Sequence, residues 1–263
     1  MNVTAISLNK SLRIQLRVID ALLRREVLTR YGRDNIGFLW LFVEPMIFVL
    51  GMTILVASKG LFMSGVPTIP FLVTGYSAVL MWRNAANRCS KAILPNISLL
   101  YHRNVTVLDL FLARIVLEIA GASMALIVIS SILIAMGYMA MPVDALTMLE
   151  GWFLLAFFAT GLALIVGALT EMSDGFERIW QIITFAVFPF SGAFFMVQWL
   201  PQSVQEVVLW LPMIHGVELM REGYFGVMVN AHYSISYLIV VNFFLLLVGL
   251  ALVYKAKDNV GSE

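Results

Sequence analysis

The stretch Arg24–Ala57, RREVLTRYGRDNIGFLWLFVEPMIFVLGMTILVA, changes character once. Four arginines crowd its first ten residues, and from Gly37 to Ala57 only Glu44 is charged. A helix needs ~20 apolar residues to cross ~30 Å of hydrocarbon, and cations beside a crossing are retained on the cytoplasmic side. Five more apolar runs follow: Pro67–Trp82, Ile115–Met139, Leu146–Thr170, Trp180–Trp199 and Tyr233–Tyr254. The chain is 61% hydrophobic and 13% charged, which excludes an ordinary soluble domain. The six runs also divide the seventeen Lys and Arg residues unevenly. Seven precede the first run, and five (Arg83, Arg88, Lys91, Arg103, Arg114) lie between the second and third. Arg178 lies between the fourth and fifth, and Lys255 and Lys257 follow the sixth. Only Lys59 and Arg221 fall on the other side, so both termini are expected in the cytoplasm. The pattern predicts an all-α, multi-pass inner-membrane protein with six transmembrane helices.

Met1–Asn9 lacks an apolar core, so no cleavable signal is expected. The single cysteine, Cys89, excludes an internal disulfide, and His102, His215 and His232 stand apart without metal-ligand spacing. No G-x-x-x-x-G-K-[ST] loop is present, so ATP hydrolysis through a P-loop of this chain is excluded. No Ser/His/Asp or Cys/His set forms. The chain reads as a non-enzyme.

Leu12, Leu16, Ile19, Leu23 and Val27 recur at spacings of three and four, while Arg13, Arg17, Asp20 and Arg24 fill another face. Leu8–Arg30 is therefore expected as an amphipathic helix, lying in the membrane plane or packed on the cytoplasmic mouth. Arg24, Arg25, Arg30 and Arg33 form a collar before the first span. Topology alone explains it; an anionic substrate or lipid head is the functional alternative.

Glu44 lies a third of the way along the first span, followed by a kinking Pro45. It is expected to pair with a cation on a neighbouring span or to be protonated, with a direct substrate contact as the alternative. Arg114 and Glu118, four apart, are expected to neutralise each other along one face. Gly121 with Ala125, and Ala163 with Gly167, offer small-residue surfaces for close helix packing.

Two loops carry the remaining signal. The cytoplasmic loop Asn84–Leu112 mixes cations with Ile93, Ile97 and Leu100, which mark a short helical face with Pro95 near its start. Such a helix suits docking onto a soluble partner or lying on the membrane. The external stretch Pro201–Ala231 is too interrupted to span and reads as two short helices broken at Pro212, dipping into the outer leaflet. Glu218 and Arg221, three apart on the second piece, are expected to form a structural pair.

Arg24–Arg33, Ile36–Trp40 and Glu44-Pro45 resemble the start of the first span of type 2 ABC exporter permeases. Leu99-Leu100-Tyr101-His102-Arg103-Asn104-Val105, Ser191-Gly192-Ala193-Phe194-Phe195 and Trp210–Glu218 resemble the capsular polysaccharide branch of that family in Gram-negative bacteria. The similarity runs through nearly the whole chain. It implies an ABC-2 permease fold: an amphipathic interface helix at 1–34, then a six-span domain at 35–263 with a coupling loop at 84–112 and external re-entrant gate helices at 201–231. It implies a homodimer paired with two copies of a separate ABC ATPase, which would hold the ATP and Mg. This chain would have no cofactor. The complex would export lipid-linked capsular polysaccharide, handed on by a periplasmic co-polymerase-type protein and an outer-membrane exporter.

Ser90–Val105 would form the coupling helix, with Ser90, Asn96, Leu99, Leu100, Tyr101, His102 and Arg103 facing the ATPase. Trp210, His215, Glu218 and Arg221 would belong to the periplasmic gate. Candidates for the substrate path are Arg24, Arg25, Arg30, Tyr31, Arg33, Trp40, Glu44, Phe48, Tyr76, Trp82, Trp180 and Phe188. Membrane lipids are expected partners; nucleic acid is not. Rival cargoes are O-antigen, teichoic acid or a small amphiphile. An ion-coupled secondary transporter with Glu44 as its coupling carboxylate is the rival class, but no inverted repeat supports it.

Overall fold

The structure is a computed structural model and describes residues 8–31, 40–58, 65–100 and 105–260. Among the described residues every regular element is helical. The long helices are α1 (Leu8–Tyr31), α2 (Trp40–Ser58) and α3 (Thr68–Cys89), then α5 (Val107–Ala135), α6 (Ala145–Met172), α7 (Asp174–Val187) and α10 (Ile235–Val260). Short pieces are α4 (Ile97–Leu100), α8 (Gln202–Val208) and α9 (Pro212–Phe225). Three helices are long and apolar enough to cross a membrane: Val107–Ala135, Ala145–Met172 and Ile235–Lys257.

Local chemistry sets the ends. Thr106 accepts the Asp109 N–H, and the Asp109 carboxylate accepts the Thr106 N–H at 2.8 Å; this capping box starts α5 eight residues before the expected Ile115. Gly137, at φ +77°, follows the end of the same helix. Asp144 caps α6 by accepting the N–H groups of Leu146 and Thr147. Pro212 at the first turn of α9 breaks it from α8, matching the two-helix expectation.

The fifth apolar run departs from expectation. Trp180–Trp199 is not one helix: α7 stops at Val187, a 3-10 turn carries Pro189, and Gly192 takes φ +79°. Hydropathy counts residue types, whereas Pro189 withdraws a backbone donor and Gly192 admits a left-handed turn.

α6 is the central helix, packed by α3, α9 and α10, while α3 also lies on α5. Of its most apolar window 56% is buried, against 17% for α10, so α10 turns Val240, Phe243, Phe244 and Leu247 outward. α6 and α9 meet backbone to backbone: a Cβ on Gly151 would stand 2.5 Å from the Met220 nitrogen, and one on Gly216 would stand 2.5 Å from Leu155 Cγ. α1 packs one face on α5: Leu22 joins Leu110 and Ala113, with Val18, Leu23, Leu99 and Leu100 around them. Leu16 and Leu28 remain exposed on its other side.

Candidate functional site

The C-terminal end of α3 gathers the charges that the sequence scattered over four other segments. Arg88 lies 3.5 Å from Glu44 on α2 and 3.5 Å from Glu118 on α5. The expected pairing of Glu44 with a cation on another helix is therefore realised by Arg88. Arg114 and Glu118 are each engaged across helices: Arg114 reaches Glu26 on α1 at 3.3 Å and donates to the Arg88 carbonyl at 2.6 Å. Lys91 pairs with Glu177 on α7 at 3.0 Å, and Trp180 donates to Asn87 at 2.8 Å. A polar cavity of about 440 Å³ between these helices is lined by Glu26, Asn84, Arg88, Arg114 and Gln181.

The segment after α3, expected to be the coupling loop, hangs directly from this cluster. Ser90 closes α3 through its hydroxyl, which donates to the Asn87 carbonyl at 2.8 Å. The segment then runs through a 3-10 turn at Leu94–Asn96 into α4. The described helix is thus shorter than the expected Ser90–Val105, because Ser90–Ile93 form turns and Pro95 opens the 3-10 piece. Asn96 is buried, donates to the Ala92 carbonyl and accepts from Arg25 at 2.5 Å, while Leu99 and Leu100 pack toward α1 and α5. Tyr101, His102, Arg103 and Arg33 lie outside the described residues, as do the side chains of Arg30, Tyr31 and Trp40. Of the arginine collar, Arg24 is paired with Asp20 at 3.0 Å on the surface and Arg25 turns to Asn96.

The aromatic candidates separate into two groups. Tyr76, Phe188 and Phe194 meet edge to face, with centroids 5.5–6.0 Å apart. Phe48 is exposed on α2. Trp82, in contrast, is buried edge-on against Phe158 of α6, and Trp180 is buried by its bond to Asn87. Both side chains are buried in the described structure.

α9 is buried from Met213 to Arg221. Glu218 and Arg221 do not form the expected ion pair. Glu218 accepts the N–H groups of Val197 and His232 at 3.1 and 2.9 Å; burial pushes its carboxyl up, and those two donors oppose the rise. The Arg221 guanidinium donates to the carbonyls of Gly192, Ala193, Phe195 and Phe71 at 2.6–3.3 Å and lies 3.6 Å over the Phe71 ring. Burial pushes it down to about 9, opposed by Glu218, so it stays protonated at neutral pH. Each charge is satisfied largely by backbone of the bend after Phe190, with the His232 N–H completing Glu218 and the Phe71 carbonyl completing Arg221. His215 Nδ1 accepts the Ser234 N–H at 2.9 Å, which fixes its proton on Nε2, 2.8 Å from the Leu209 carbonyl. Burial lowers its pKa. Trp210 is exposed; its N–H donates to the Val207 carbonyl at 3.2 Å and its carbonyl accepts from the Tyr237 hydroxyl at 2.8 Å.

Sequence reasoning missed Asn87, Asp109, Gln15, Phe71 and Gly75. Asp109 is fully buried and accepts a hydrogen bond from Gln15 of α1. The Thr106-x-x-Asp109 spacing was the available signal, as a helix start. Gly75 had none: a Cβ there would overlap Arg221 Nη2 and stand 2.6 Å from the Ala193 carbonyl oxygen.

The family model described as ABC-2 type transporter matches residues 17–225. The chain is 49% identical over 256 residues to the capsule polysaccharide export inner-membrane protein CtrC of Neisseria meningitidis serogroup B, covering 95% of both chains. It is 48% identical to the capsule polysaccharide export inner-membrane protein BexB of Haemophilus influenzae, again over 95% of each. The polysialic acid transport protein KpsM of Escherichia coli is 27% identical over 94% of this chain. The matched residues run from α1 through the end of α9, taking in both the charge cluster around Arg88 and the buried α9, and the chain accordingly belongs to the ABC-2 type transporter family.

Proposed function

We propose that this chain is the membrane permease subunit of an ATP-driven exporter that moves lipid-linked capsular polysaccharide across the bacterial inner membrane. The observation that carries the proposal is its identity of about half, over 95% of both chains, with capsule polysaccharide export inner-membrane proteins. The permease crosses the membrane six times, by α2, α3, α5, α6, α7 with the turn after it, and α10, with both termini in the cytoplasm. It works as a homodimer beside two copies of an ABC ATPase that binds ATP and Mg; a periplasmic co-polymerase-type protein and an outer-membrane exporter continue the path.

Closure of the ATPase moves the segment Leu94–Leu100. Asn96 passes that displacement to Arg25 on α1, and the α3 end passes it through Arg88 to Glu44 on α2 and Glu118 on α5. A pull on one loop thereby reaches three helices at once. The polymer passes along α2 and α7, whose outward faces carry Phe48 and Phe185. α8 and α9 border the external exit.

The test is deletion of the gene in a capsulate host, with complementation by this chain and its ATPase. Surface polysaccharide should vanish on deletion, accumulate inside, and return with the wild-type chain. It should not return when the ATPase partner carries a substituted Walker lysine. Unchanged surface polysaccharide in the deletion strain would overturn the proposal.

A further inference from the structure

Arg83 differs from the other cations around it. Arg88, Lys91 and Arg114 each lie within 3.5 Å of a carboxylate on another helix. Among the described residues Arg83 has no ion pair and no hydrogen bond; its guanidinium carbon sits 5.4 Å from the centroid of the Phe188 ring. It lies six residues before the cytoplasmic end of α3 at Cys89, roughly 9 Å along the axis. A half-buried guanidinium held only by an aromatic face, on a membrane-embedded bundle, is costly unless an anion completes it.

Its surroundings suit a saccharide. Tyr76 precedes Arg83 by seven residues, nearly two full turns, so both project from one face of α3. Phe188 from the end of α7 and Phe194 from the bend close the other side, each edge-on to Tyr76. The three rings brace one another, leaving Phe188 half-buried beside Arg83. Phe185 and Phe190 beside it are 77% and 54% exposed, so the group opens on an uncovered face and not into the core.

We propose that Arg83, Phe188, Tyr76 and Phe194 form a subsite for an anionic sugar chain. The Arg83 fork grips an oxyanion, carboxylate or phosphodiester, while the apolar face of a sugar ring stacks on Phe188. The inference rests on the reading of the chain as a polysaccharide permease and adds to it a selection for charged polymer. A neutral polymer gains the stacking and nothing from Arg83.

The experiment uses the complete permease–ATPase complex in phosphatidylcholine nanodiscs, which carry no net-anionic lipid. Three probes are titrated: a sialic acid hexamer, a glycerol phosphate hexamer and neutral maltohexaose. Arg83→Gln should weaken both anionic probes about tenfold and leave maltohexaose unchanged. Arg83→Lys should recover only part of that loss, because an ammonium lacks the fork. Phe188→Leu should weaken all three probes, and Phe188→Tyr should restore them. Equal binding of the anionic probes by unmutated and Arg83→Gln complexes, each shown assembled by size, would overturn the subsite. So would displacement of the anionic probes by phosphatidylglycerol only when Arg83 is present, which would make it a lipid headgroup site. An unmutated complex that binds no saccharide while the same chain exports capsule overturns the subsite alone. Loss of both overturns the permease reading beneath it.

Discussion

Gly75 of α3 leaves the gap through which Arg221 of α9 reaches the Ala193 carbonyl at 2.7 Å. Any side chain at 75 meets the guanidinium and the carbonyl together. Gly75→Ala should therefore displace Arg221 from its acceptors and strand a buried charge, at a cost of about 3 kcal/mol or more. Unfolding of the purified chain in detergent measures it. Stability equal to wild type would mean that α3 and the bend yield freely. Arg221→Lys should be nearly as damaging, since one ammonium cannot serve carbonyls on two segments.

Arg88 stands between a half-exposed and a buried carboxylate. The Glu44 side chain is 46% exposed and that of Glu118 9%. Removing Glu44 leaves Arg88 with Glu118 and costs under ~1 kcal/mol. Removing Arg88 leaves Glu118 buried beside one fewer cation and costs about 2–3 kcal/mol. Comparing Glu44→Ala with Arg88→Ala by chemical denaturation checks the order; equal losses would refute it.

His215 is built to be neutral, because its Nδ1 already accepts the Ser234 N–H. Burial sets its folded pKa below 6.5, the ordinary value. The unfolded chain therefore takes up a proton first as the pH falls. The stability that His215 contributes is complete above the ordinary histidine pKa and is lost as the pH drops through the folded value. Acidification from about pH 7.5 to about pH 5 should loosen α9, seen as faster amide exchange at residues 212–225. His215→Gln should flatten that dependence. Glu218, whose carboxyl is raised, acts with the opposite sign as pH rises, so the difference between wild type and His215→Gln isolates the histidine.

Asn96 joins the coupling turn to α1 through Arg25. Asn96→Ala should leave the permease inserted and bound to its ATPase but uncouple the two. Surface polysaccharide should fall several-fold while ATP hydrolysis by the assembled complex persists. Parallel loss of both activities would reduce Asn96 to a packing residue.

The long apolar helices were legible because a bilayer crossing demands sustained hydropathy, and α6, α10 and most of α5 supply it. The beginning of α5 was not, because Asp109, Arg114 and Glu118 look like loop charges until Gln15, Glu26 and Arg88 arrive from other helices to satisfy them. Glu218 and Arg221 were recognised by spacing and given the wrong partners. Three-residue spacing permits a pair, but the stronger acceptors were carbonyls freed by the Pro189–Gly192 break, which lies more than twenty residues away. Likewise Tyr76 and Phe188 were read as separate aromatics; only the chain's return at α7 brings them into one group with Arg83.

The arginine that seals that break also imposes an order in time. Gly192, Ala193 and Phe195 precede Arg221 by 26 to 29 residues. During synthesis they leave the ribosome with their carbonyls unserved, in surroundings where apolar neighbours offer no donor. This part of the chain must wait, shielded by water or by the insertion machinery, until α9 has been made and folds back. The bend is thus closed by a single cation, and a chain truncated before residue 221 would leave those carbonyls without the guanidinium that serves them.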